Sequence, residues 1–176
     1  MKKLLFVPFF IASLLASIPA LAMEGVGVIN MRDAVLGTQV AQDVLKALSE
    51  ETDYAANIEK ATLLQTERQS LAEKLQKDGE TLAQDEIVDI QRDIQEKGQE
   101  IEFIIGKVQA KQNQTIEKIF ADINPTLQKI LSELIAAKEV KLLLSQENVL
   151  FSDPALVLTD DVTSLLDVAL AEGQNE

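Results

Sequence analysis

The chain contains no cysteine and no histidine. Disulfides, a thiolate nucleophile, the commonest general base and the usual zinc ligands are therefore all excluded. Tryptophan is absent, and aromatic residues make up only 4% of the chain, too few for a large compact core. Basic residues are a minority, 16 against 29 acidic, for a net charge of −13. Such a surface does not suit nucleic acid, whose binding needs basic patches. There is no phosphate loop of the G-x-x-x-x-G-K-[ST] type and no G-x-S-x-G turn. The acidic run 78–102 lacks the spacing of a Ca²⁺-binding loop. No cofactor, no metal site and no catalytic group is expected, and the chain does not read as an enzyme.

Proline and glycine are scarce across the middle of the chain, and that scarcity is informative. Between Thr38 and Lys138 the first proline is Pro125, and the only glycines are Gly79, Gly98 and Gly106. Aliphatic residues recur there at three- and four-residue steps: Ile58, Leu64, Leu71, Leu75 and Leu82, then Ile87, Ile90, Ile94, Ile101, Ile105, Val108, Ile116 and onward. This is an amphipathic helical pattern with a stripe close to a coiled-coil seam. A long helix with so narrow a stripe needs a partner. One arrangement is a single rod that dimerises. The other is an antiparallel hairpin, favoured by the loss of register around residues 79–86, where Gln84 or Asp85 caps a new helix with Glu86 in its first turn. Pro125 predicts a kink in the return helix, or else a boundary with a separate helix after it.

The flanks read differently. Residues 1–22 carry Lys2 and Lys3, an apolar run and an Ala20-Leu21-Ala22 box, the pattern of a cleaved signal peptide. Its removal leaves 14 basic residues against 29 acidic, a net of −15, and no stable membrane insertion is expected of the mature chain. Residues 24–30 read as a strand, with Asn30 capping a helix over 31–36 that Gly37 stops and Thr38 re-initiates as the long helix. Residues 140–144 and 149–151 read as two further strands, and Thr159 starts a helix over 160–170. The first strand needs partners, which only the C-terminal strands supply, and this too favours the hairpin.

The ends carry a resemblance. Val28-Ile29-Asn30-Met31 near the start is followed by the Gln/Glu/Lys-rich helical excursion. Val149-Leu150-Phe151-Ser152-Asp153-Pro154 and Leu158-Thr159-Asp160-Asp161-Val162 stand near the end. Together they resemble the Skp/OmpH family of periplasmic chaperones over essentially the whole mature chain. The resemblance implies a mainly α fold with a small β body, in which a long antiparallel helical hairpin hangs from a short-stranded trimerisation body. Residues 23–37 and 139–172 would form the body, and residues 38–138 the arm, with its tip near 79–86. It implies a homotrimer in the periplasm that holds unfolded outer-membrane proteins without ATP and prevents their aggregation. Arm residues Leu64, Leu71, Leu75, Leu82, Ile90, Ile94, Ile101 and Ile105 would then contact clients. Val26, Val28, Leu142, Leu144, Leu150, Val162, Leu165 and Leu166 would pack the body and trimer. The chain departs from the family pattern in Val157, where Asp is frequent, in Pro125, and in acidic arms where well-known members are basic. The alternative is an envelope structural or adaptor protein whose acidic coiled-coil hairpin docks a folded partner.

Overall fold

A computed structural model describes residues 25–173. The expected signal segment, and Glu24 at the start of the expected first strand, lie outside the described residues. The chain is mainly helical. Strand β1 (Val26–Ile29) leads into α1 (Met31–Leu36), α2 (Gln39–Glu50), α3 (Thr52–Asp78) and α4 (Gln84–Ala137). Strand β2 (Leu142–Ser145), two short 3-10 turns (Gln146–Asn148 and Pro154–Leu156) and α5 (Thr159–Gly173) complete it.

The starts of the helices follow from side-chain caps. Asn30 accepts from the Asp33 N–H at 3.1 Å and opens α1. Thr38 accepts from the Ala41 N–H at 3.3 Å and opens α2. At the tip, Glu86 reaches back and its Oε2 accepts from the Ala83 N–H at 3.4 Å. Ala83 has no acceptor to return the contact, so half of a capping box starts α4. The chain reverses over residues 79–83, and α3 packs antiparallel on α4 as a hairpin.

One helical expectation is corrected, and one open choice is resolved. The first limb is not one helix from Thr38 to the tip: it breaks at Glu51, which is extended (φ −62°, ψ 125°) and ends α2 while preceding α3. Of the two readings at Pro125, the boundary is the one that fails. α4 runs through it for 54 residues, because Pro125 is exposed and the helix on either side is anchored by buried Ile123 and Leu127.

β1 and β2 pair in parallel, Val26 opposite Leu142 and Ile29 opposite Ser145. Parallel neighbours need a long crossover; here the entire helical hairpin is that crossover, which brings the two flanks together. On its other side, β1 accepts from the Leu158 N–H at Val28 O, 2.8 Å, in a bridge to Val157. A Cβ on Gly27 would lie 2.7 Å from Leu158 Cδ1, so glycine permits this approach. The expected strand over 149–151 is absent. That stretch is irregular, because it has no neighbour within the chain to complete a ladder: Leu150 is fully exposed and Phe151 is 87% exposed.

The main core joins Ile29, Val35 and Ala41 to Ile119, Ile123, Leu127, Ile130 and Leu134 of α4 and to Leu158, Val162 and Leu166. Helix α5 ties the flanks together. Thr159 Oγ1 accepts from the Asn30 N–H at 3.0 Å, and Thr163 Oγ1 donates to Ala34 O at 3.1 Å.

Candidate functional site: the helical arm and the exposed body face

The distal arm is held by little apolar burial. Leu64 of α3 meets Ile101 and Ile104 of α4, with Ala61 and Val108 alongside. Three ion pairs cross between the limbs: Glu51–Lys111 at 3.0 Å, Lys60–Glu100 at 2.6 Å and Glu67–Lys97 at 2.5 Å. The hydrogen bond from Glu67 raises the Lys97 ammonium above its ordinary pKa, with added attraction from Glu67, Asp93 and Glu100.

Carboxylates otherwise dominate this half of the arm. Residues 51–102 carry fourteen acidic side chains against six basic, a net of −8. Arg92 pairs with Asp89 at 2.8 Å within its own helix. Among the described residues, no group of acidic side chains converges as a metal site would require. Large apolar side chains nonetheless face solvent along the arm: Ile58, Leu63, Val88, Ile105 and Phe103, the last 63% exposed with Lys107 Nζ 4.4 Å above its ring.

The residues expected to contact clients fall into three groups. Leu64 and Ile101 are buried in the seam and Ile90 is buried near the tip, because the limbs cover this stripe with each other. Leu71, Leu75, Leu82 and Ile94 are half-buried. Ile105 is exposed. The periodicity argument missed Leu63, Val88 and Phe103, which lie off the stripe. Their apolar character at positions that a two-helix seam does not use was the available signal.

The family model for the OmpH-like outer membrane proteins matches residues 25–166. The chain belongs to this family. No curated protein matches it. A solved structure from Caulobacter crescentus CB15, of a candidate outer membrane chaperone (OmpH-like), is 24% identical and covers 84% of this chain and 86% of its own, with a TM-score of 0.48. In this OmpH-like chain the expected body residues also divide. Val28, Val162 and Leu166 are buried in the chain, while Val26 and Leu144 are half-buried in the two-stranded sheet. Leu142, Leu150 and Leu165 are exposed and meet nothing that would cover them within one chain. Val168 joins them on α5 as an apolar side chain facing solvent. No helix among the described residues is long and apolar enough to cross a membrane.

Proposed function

We propose that the protein is an ATP-independent holding chaperone of the periplasm that binds unfolded outer-membrane proteins and prevents their aggregation. The observation that carries this reading is the arm itself. It is a long acidic hairpin bearing separated, solvent-facing apolar side chains. Many weak apolar contacts on such limbs suit clients of varied sequence, and the carboxylates keep the surface soluble between clients. Membership of the OmpH-like family supports a chaperone role.

The division of labour that we propose assigns residues 38–138 to the client-holding arm and residues 23–37 with 139–172 to a body shared by three chains. Residues 1–22 serve as the export signal. Within the arm, Leu71, Leu75, Leu82, Ile94 and Ile105 contact clients at the accessible edges of the seam. Leu64, Ile90 and Ile101 hold the limbs together and contribute where the seam loosens. Val26, Val28, Leu144, Val162 and Leu166 pack the body, with Leu142, Leu150 and Leu165 at the contacts between chains.

The test is light scattering of a urea-unfolded outer-membrane barrel diluted into buffer without nucleotide. The mature protein is expected to suppress aggregation with saturation near one trimer per client. Unchanged scattering at both low and moderate salt would remove the chaperone reading and leave the docking of a folded partner as the function of the arm.

A further inference from the structure

The cations of the distal arm are mostly paired within the chain, and many of its carboxylates are not. Lys60 and Lys97 bind Glu100 and Glu67 across the seam. Lys77 lies beside Glu73, and Arg92 beside Asp89 and Glu96. Among the described residues, Glu59, Asp85 and Glu102 have no cation within ion-pair distance, and all three are exposed.

Each of these carboxylates stands one turn before an exposed aliphatic side chain on the same helix. Glu59 precedes Leu63 by four residues on α3. Asp85 precedes Val88, and Glu102 precedes Ile105, by three residues on α4. Residues at these spacings are neighbours on a helix surface. The arm therefore presents three pairs, each of a free carboxylate and a solvent-facing aliphatic group. Those at Val88 and Ile105 are separated by roughly 25 Å of helix, so a client meets them with different side chains.

Lysine and arginine match such a pair in a single residue, an apolar stem that ends in a charged head. The stem covers the aliphatic group while the head meets the carboxylate. An acidic residue there would meet like charge, and a neutral one would leave the carboxylate without a partner. The arm shows a related contact inside its own chain, where Lys107 Nζ lies 4.4 Å from the centre of the exposed Phe103 ring. Building on the reading of the arm as the client-holding limb, we propose that these pairs make it prefer unfolded segments with lysine or arginine beside apolar residues, over equally apolar segments that are neutral or acidic.

Fluorescence anisotropy of two labelled peptides on the full mature chain tests this. One is an unstructured serine-rich peptide with leucine and lysine in neighbouring positions. The other has glutamine for every lysine. The lysine peptide is expected to bind about tenfold more tightly at low salt, the effect of a few exposed ion pairs acting together. At about 1 M salt, where charges are screened beyond roughly 3 Å, the two should bind alike. The triple variant Glu59→Gln, Asp85→Asn, Glu102→Gln should reduce the low-salt preference to about twofold or less. A control variant, Asp53→Asn, Glu80→Gln, Asp93→Asn, removes the same charge from exposed carboxylates that are equally unpaired but have no large apolar side chain one turn later. It should keep most of the preference. All six carboxylates are exposed, and helical circular dichroism checks that both variants fold. Equal low-salt binding of the two peptides, no binding of the lysine peptide, or a preference that survives the triple variant would overturn the proposal. So would a preference lost equally in both variants, which would make the overall charge of the arm its cause. The barrel-scattering assay keeps the two readings apart. A chain that suppresses aggregation but binds both peptides alike is a holding chaperone without this preference. A lysine preference that follows the three pairs without suppression upholds the preference and removes the holding function.

Discussion

Single side chains fix where the arm leaves the body, and Thr38 is the clearest case. It is fully buried, and its hydroxyl donates to Val35 O at 2.8 Å while accepting from the Ala41 N–H. One hydroxyl thus serves the end of α1 and the start of α2. Thr38→Val keeps the shape and removes both bonds; the Ala41 N–H loses its partner, while Val35 O keeps the Thr38 N–H at 3.2 Å. The expected loss is about 1–3 kcal/mol of stability. Urea unfolding at fixed chain concentration measures it, and Thr38→Ser should recover most of the loss. A Thr38→Val variant as stable as wild type would show that packing alone sets this corner. Asn30, Gly37 and Thr38 were legible in the sequence because their effects are local: a short polar side chain bonds an amide three residues ahead wherever the rest of the chain goes.

Elements are less legible than caps, and the reasons differ. The hairpin and its turn could be read because the seam stripe loses register near Gly79 and resumes after Gln84. The Glu51 break could not, because glutamate is a good helix former and no proline or glycine stands nearby. Thr52 and Asp53, both common at helix starts, were the only hint. Pro125 left two readings open, a kink within the limb or a boundary after it. Intrinsic propensity argued for a boundary, and packing of Ile123 and Leu127 on the main core outweighed it. The helix there still lacks one amide donor, since proline cannot bond the Ala121 carbonyl. Pro125→Ala is therefore expected to stabilise the chain by about 1–3 kcal/mol, part of the full proline penalty in a helix. Thermal melting at fixed concentration would register it. A lowered melting temperature would mean that the root core depends on the backbone shape that proline imposes.

At the scale of the whole molecule, the described chain leaves its small sheet open on one side. Its sheet has only two strands, and the outer edge of β2 has no neighbour within the chain. An isolated two-stranded unit is marginal in water, and an open edge invites pairing. Beside that edge, Leu150 is fully exposed and Phe151 87% exposed, on a stretch whose composition reads as a strand. The sequence signal for a strand over 149–151 and its irregular form in one chain are compatible if the ladder is completed by another copy. A body shared in that way would place the partners of this stretch outside the chain, where its own sequence pattern does not show them. In the proposed trimer, burying these two side chains contributes about 1.5–3 kcal/mol each. Leu150→Ser combined with Phe151→Ser should shift equilibrium sedimentation from trimer toward monomer. The helical circular dichroism of the arm should persist at chain concentrations where it is well folded, since neither residue belongs to either core cluster within one chain. A trimer that survives the double substitution at micromolar concentration would place the shared surface elsewhere, with the α5 face around Leu165 and Val168 as the remaining exposed apolar surface of the body. A wild-type chain that is itself monomeric would remove the shared body, and the two exposed residues would then belong to a different contact.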